Sequence, residues 1–171
     1  MCTFNDNMQT CIDKLAQDVV KLLCENNLRV STAESCTGGL LSGAVVSVSG
    51  SSRVFDLGIC AYANEIKQRY LGVSAETLKN HGAVSAECAA EMARGACKVS
   101  GAEVGISTTG IAGPEGGSAE KPVGTVFICC AYGDITRTIH LKIDNKSREY
   151  IRLETVNQAL RLIFNTIKEG K

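Results

Sequence analysis

The chain's 171 residues carry eighteen basic and eighteen acidic side chains. That length suits one domain with a sizeable core, and the charge balance gives no global pull toward nucleic acid or an acidic membrane surface. No apolar run approaches the ~20 residues needed to span a bilayer, and the polar start lacks the features of a signal peptide, so a cytoplasmic protein is expected. Nine cysteines at irregular spacing, without a Cys-x-x-Cys pair and with His81 and His140 far apart, argue against a metal site. Cys24, Cys60, Cys88, Cys97, Cys129 and Cys130 lie in apolar stretches and read as reduced core residues.

Residues 1–9 read as a polar tail. Over 11–26, Ile12, Leu15, Ala16, Val19, Val20, Leu22 and Leu23 recur at helical spacing. Residues 28–32 form a short strand leading into Ser35, and the small-residue stretch 38–48 reads as a helix packed closely on a sheet. The stretch 54–63 gives a second strand, with 57–62 expected to be buried on both faces, followed by a short helix to Tyr70 that Asn64 can cap. A further short helix covers 75–80, Ser85 caps a long helix to about Val99, and 104–108 is a third strand. The stretch 109–122 holds four of the seventeen glycines and both prolines, a composition suited to a functional loop. Residues 123–132 and 135–143 read as an antiparallel hairpin across Gly133-Asp134, and 149–167 as a closing amphipathic helix. Alternating helices and strands plus one hairpin predict a three-layer α/β/α sandwich around a mixed, mostly parallel sheet in a single domain.

The run Thr32-Ala33-Glu34-Ser35-Cys36-Thr37-Gly38-Gly39 puts a small hydroxyl where a strand turns into a helix, beside N–H groups free to hold an oxyanion. Ser35 is either a helix cap or a nucleophile, and a nucleophile needs a base. His140 falls mid-strand and His81 in a turn, so the more interesting base is Lys67, at the start of a helix that follows a strand end, as Ser35 does. A lysine base must be largely neutral near pH 7, which costs about 4 kcal/mol relative to water and calls for burial away from carboxylates. Taken singly, Lys67 also reads as a solvated helix lysine and Tyr62 as a core-edge aromatic. The loop Gly110-Ile111-Ala112-Gly113-Pro114-Glu115-Gly116-Gly117 has neither Walker nor dinucleotide spacing, yet with Thr108 and Thr109 it is suited to wall a polar pocket. Lys146, Arg148 and Arg152 crowd the first turns of the last helix, where the dipole disfavours cations. They either converge on an anion such as a phosphate or form a solvated face with Glu149 and Glu154.

Five segments together resemble the CinA C-terminal domain family, the nicotinamide-nucleotide amidases. They are 32–39, Tyr62-Ala-Asn-Glu-Ile-Lys67, His81-Gly-Ala-Val-Ser85, 109–117 and Lys121-Pro-Val-Gly-Thr-Val126, in family order and within a likeness running from about 10 to 165. The resemblance implies a stand-alone, metal-independent and cofactor-free serine amidohydrolase that converts nicotinamide mononucleotide to nicotinate mononucleotide and ammonia. Carried over, Ser35 is the nucleophile, Lys67 its base and Tyr62 an aid to proton transfer or positioning. Amides of Cys36, Thr37 and Gly38 would hold the oxyanion, while Thr108, Thr109, Gly110, Gly113, Arg148 and Arg152 would bind the nucleotide. Ala63, where many relatives have serine, and Lys146-Ser147, where they often have Gly-Asp, depart from the pattern. The resemblance also implies a homodimer, with no nucleic-acid or membrane partner. Two other readings stay open: Cys36 as the nucleophile, and a non-catalytic nucleotide-binding or interaction module of the kind the family's competence and DNA-damage names suggest.

Overall fold

In the computed structural model, which describes residues 8–144 and 146–170, helices cover both faces of a five-stranded sheet. The elements run α1 (Met8–Glu25), β1 (Val30–Glu34), α2 (Leu40–Val46), β2 (Phe55–Cys60), α3 (Asn64–Leu71), α4 (Ala75–Asn80), α5 (Ala86–Ser100), β3 (Val104–Gly110), β4 (Thr125–Tyr132), β5 (Ile135–Lys142) and α6 (Arg148–Glu169). Met8 and Gln9, expected in a polar tail, form the first turn of α1; the rest of that expected tail lies outside the described residues. The strand order is β2-β1-β3-β4-β5. β1 pairs in parallel with β2 and β3, whereas β4 runs antiparallel to both β3 and β5. Four of the five strands therefore point one way, which gives the expected three-layer α/β sandwich with one hairpin.

The periodicity of each helix explains the layering. The α1 stripe of Ile12, Ala16, Val19 and Leu23 meets Ile151, Ala159, Leu160 and Ile163 of α6 and Leu41 and Val45 of α2 beneath one sheet face. Burial of each large aliphatic side chain there contributes about 1.5–3 kcal/mol. On the other face the small residues Cys88, Ala89, Ala93 and Ala96 of α5 let that helix lie close against β1, β3 and β4. A side chain at Gly105 would run into the carbonyl of Ala93, so this contact requires glycine.

The second strand, expected within 54–63, is Phe55–Cys60, but it is not buried on both faces: it forms one edge of the sheet and is half exposed. A continuous apolar run does not reveal whether a strand has one neighbour or two. Cys60, expected in the core, is consequently exposed, and Cys24 and Cys97 are half buried. Asn64 does not cap α3, whose N-cap is Ala63 without a side-chain bond. Ser85 does cap α5, accepting from the Cys88 amide.

Connectivity places the site. The chain leaves β1 for β2 on one side and later returns to β3 on the other, so the connections diverge at the C-terminal end of β1, the usual location of a crevice in such sheets. The ends of β2, β3 and β5 lie on the same edge, which carries Ser35, Tyr62, Thr109 and the start of α6 there.

Candidate functional site

The turn after β1 is built differently from the sequence expectation. α2 begins at Leu40, not at Gly38; its N-cap is Gly39, and neither Ser35 nor Thr37 caps it. Gly38 and Gly39 both have positive φ (59° and 94°), a conformation open to glycine at no steric cost. The helix N-terminus is filled from within. The fully buried Glu34 carboxylate accepts from the amides of Gly39 (2.9 Å), Leu41 (3.1 Å) and Ser42 (2.7 Å) and from the Ser42 hydroxyl (2.5 Å). An internal anion thus meets the helix dipole. The amides of Cys36, Thr37 and Gly38 have no backbone acceptor among the described residues. Sequence reasoning missed Glu34, although an acidic residue ending an otherwise uncharged, small-residue strand just before a helix is the signal for it.

Ser35 is tied down through its own amide, which donates to the Thr108 carbonyl at 2.9 Å. Its Oγ accepts from Lys67 Nζ at 3.1 Å. Lys67, on the first turns of α3, is only 1% exposed, and its Nζ also donates to the carbonyls of Ala61 (2.8 Å) and Tyr62 (3.1 Å). Among the described residues no carboxylate forms an ion pair with it. Burial lowers its pKa from the ordinary 10.5, opposed by the neighbouring Cys88 and Cys36 thiols. Desolvation without a compensating anion favours the neutral amine.

Cys36 is in the opposite position. Burial, chiefly, pushes its thiol up to about 12, with Glu34 adding to the rise and Thr108 and Arg152 opposing it. With Glu34 occupying the helix N-terminus, the dipole that activates a thiol is already satisfied.

Tyr62 reaches Lys67 through its backbone carbonyl. Its side chain is 66% exposed, and its hydroxyl accepts from Arg148 Nη2 at 3.4 Å. Arg148 also donates to the Gly113 carbonyl at 2.6 Å, which ties the glycine-rich loop to α6. Arg152 does not join it at the cavity. Its Nε donates to the Cys36 carbonyl at 3.1 Å and its Nη2 to the Thr37 carbonyl at 2.6 Å. The two cations at the start of α6 therefore do separate work, one at the cavity rim and one behind the serine turn.

Ser35, Cys36, Tyr62, Asn64, Lys67, Ala83, Val84, Thr109, Gly110, Ala112 and Arg148 enclose a cavity of about 220 Å³. Thr109 Oγ1 donates to the Ala83 carbonyl at 2.7 Å, which joins the β3 end to the 81–85 segment. Thr108 lies behind this wall, sharing a 2.7 Å hydrogen bond with Thr37; Thr108 and Gly113 support the cavity without lining it. Asn64, Ala83 and Val84 were not expected at the site, and Ala112 enters it as part of the glycine-rich loop expected to wall a pocket. Ala83 and Val84 are small or apolar residues in a loop, where nothing in residue type marks a pocket wall. Neither histidine lines the cavity: His140 stacks on Phe127 at 4.3 Å between ring centroids, and His81 Nδ1 lies 3.6 Å from Glu87. Among the described residues no group of three His, Cys, Asp or Glu side chains is placed to hold a metal ion, and no helix is long and apolar enough to cross a membrane.

Residues 12–167 match the model of a family described as the CinA C-terminal domain. A competence-damage inducible protein named in Clostridium novyi (strain NT) is 51% identical over 142 residues, 82% of this chain and 34% of that protein. The CinA-like protein of Thermotoga maritima is 53% identical over 116 residues, 68% of this chain and 28% of its own length. The chain spans about a third of the length of the curated relatives it matches. Among solved structures, the competence/damage inducible protein CihA from Agrobacterium tumefaciens superposes with a TM-score of 0.89 at 42% identity, covering 96% of this chain and 98% of that one. The competence damage-inducible protein A of Klebsiella pneumoniae gives 0.90 at 32% identity, covering 94% and 99%.

Proposed function

This chain belongs to the CinA C-terminal domain family, and we propose that it is a serine amidohydrolase acting on the carboxamide of nicotinamide mononucleotide. The observation that carries the reading is the buried Lys67 amine, 3.1 Å from Ser35 Oγ and without a carboxylate partner among the described residues. A structural lysine gains nothing from such burial; a general base does.

In the proposed cycle, neutral Lys67 takes the proton of Ser35 as Oγ attacks the carboxamide carbon. The negative charge moves to the former carbonyl oxygen, where turn amides among Cys36, Thr37 and Gly38 stabilise it. Collapse breaks the C–N bond, and the proton on Lys67 passes to the leaving nitrogen to give ammonia. Water then attacks the acyl-enzyme and yields its proton to Lys67. Collapse of that adduct breaks the bond to Ser35 Oγ, which takes the proton back from Lys67, and the product acid loses its remaining proton to solvent as it leaves as the carboxylate. Arg148, a cation at the cavity rim beside Tyr62, suits the nucleotide phosphate. Tyr62 is better placed to flank the substrate than to relay a proton, since its hydroxyl is directed to Arg148.

The test is ammonia release from nicotinamide mononucleotide by the purified chain, with Ser35→Ala beside it. Turnover by the wild type and its loss in the variant are expected. Near-normal turnover by Ser35→Ala would sink the mechanism, and tight binding without turnover would leave a binding module in its place.

A further inference from the structure

Resting on the reading of Ser35 as a nucleophile, we propose that Arg152 is a positioning residue that sets the direction of the oxyanion-binding amides. The evidence is an accounting of the peptide groups in the serine turn. The Ser35 amide is bound to Thr108, and the Gly39 amide to Glu34. The Cys36 and Thr37 carbonyls are both held by the one guanidinium of Arg152, and the Leu40 amide also reaches the Thr37 carbonyl at 3.4 Å. What remains is the pair of amides at Thr37 and Gly38, which have no backbone acceptor among the described residues; the Cys36 amide, which also has none, is turned toward its own thiol.

A peptide unit is planar and trans, so its N–H points opposite to its C=O. The Cys36 carbonyl shares a unit with the Thr37 amide, and the Thr37 carbonyl shares one with the Gly38 amide. By gripping these two oxygens, Arg152 turns the two N–H groups away from itself and prevents either unit from flipping. A cation on the carbonyl side also polarises each unit and strengthens its N–H as a donor. The planar fork of an arginine can hold two carbonyls at once, whereas a lysine presents a single point charge. Gly38 fits the same design: its φ of 59° favours glycine, and a Cβ there would come within 3.4 Å of the Arg152 guanidinium. The arginine's Nε and Nη2 are directed to the protein's own backbone and it does not line the cavity, whereas Arg148 does.

The test compares Arg152→Ala and Arg152→Lys with wild type on two readouts. One is kcat and KM for ammonia release from nicotinamide mononucleotide. The other is the rate at which a fluorophosphonate labels Ser35, which needs an activated serine and a working oxyanion site but not the natural substrate. In Arg152→Ala, kcat is expected to fall about 10²-fold with KM changed by less than about threefold, and labelling to slow in parallel. Added ethylguanidinium should restore part of both rates. Arg152→Lys keeps the charge and bulk and should lie between the two; it carries the test should the alanine variant not fold. A rise in KM of tenfold or more at unchanged kcat, seen for the nucleotide but not for its dephosphorylated nucleoside, makes Arg152 a phosphate ligand and overturns the proposal, as does unchanged kinetics. Wild-type labelling that depends on Arg152, without ammonia release, rejects nicotinamide mononucleotide as substrate and supports the positioning role. Wild type that is neither labelled nor active overturns both.

Discussion

Two charged side chains are buried on either side of Ser35, and they are satisfied in opposite ways. Glu34 is saturated, its carboxylate taking three backbone amides and a hydroxyl at the start of α2. Lys67 has two backbone carbonyls and the Ser35 hydroxyl and, among the described residues, no anion. The first arrangement holds a charge in place and fixes the turn. The second makes the charge expendable, because the amine gains by losing its proton when a substrate arrives. A buried ionic group is therefore not informative by itself; the identity of its partners separates scaffold from chemistry.

This contrast breaks most readily on activity. Lys67→Met removes the base but keeps an apolar chain of similar length, so kcat for ammonia release is expected to fall by about 10³-fold or more. The stability change should stay under about 1.5 kcal/mol, since loss of a desolvated amine offsets the freed carbonyls. Glu34→Gln should show the reverse weighting. Its carboxamide turns donors toward amides that need acceptors, and the fold should lose about 3 kcal/mol, a Tm lower by roughly 6–12 °C. Thermal unfolding of both proteins beside steady-state kinetics decides the matter. If Lys67→Met unfolds as readily as Glu34→Gln, Lys67 is scaffold too.

The sequence discloses these two residues unequally. Lys67 was legible because its candidacy rested on chain order: a strand end, then a lysine within one helical turn, on the edge where sheet sites gather. Glu34 lies in the 32–39 run but is not legible there, since its role depends on where α2 starts, and the two left-handed glycines delay that start to Leu40. The layers followed from periodicity, but strand ends did not: the first strand, expected at 28–32, is Val30–Glu34, and the third runs on from 108 to Gly110. The edge position of β2 depends on strand order, which is a matter of tertiary pairing. Arg148 and Arg152 are unusual at a helix start and, four residues apart, share one face of α6 about 6 Å apart along its axis. Their separate tasks come from what each side chain meets, Gly113 and Tyr62 for one and the serine turn for the other, which one sequence does not encode locally.

The pH dependence is a finer probe. Burial holds the Lys67 pKa below 10.5 in the fold, so between the folded value and 10.5 the unfolded chain binds more protons than the native one. Stability from this group therefore rises with pH across that window and is least below it. Wild type should gain stability relative to Lys67→Met as pH climbs toward 10.5, measured by denaturant unfolding at each pH. kcat/KM should rise with pH through an inflection below 10.5 that disappears in Lys67→Met. A gap between the two proteins that stays constant over the alkaline range would mean that Lys67 titrates as an ordinary exposed lysine.

The smallest expected effect separates the adjacent hydroxyl and thiol. With the Cys36 thiol at about 12, only about one molecule in 10⁵ carries a thiolate at pH 7, too few to compete as a nucleophile. The side chain packs in the core beneath the turn and is hydrogen-bonded toward Thr108. Cys36→Ala should therefore keep kcat within about twofold while losing about 1 kcal/mol of stability from the smaller buried volume. Ammonia release and Tm, measured on one preparation, give both numbers. A hundredfold loss of kcat at unchanged Tm would instead move the nucleophile from Ser35 to Cys36 and make the buried lysine the base of a thiol enzyme.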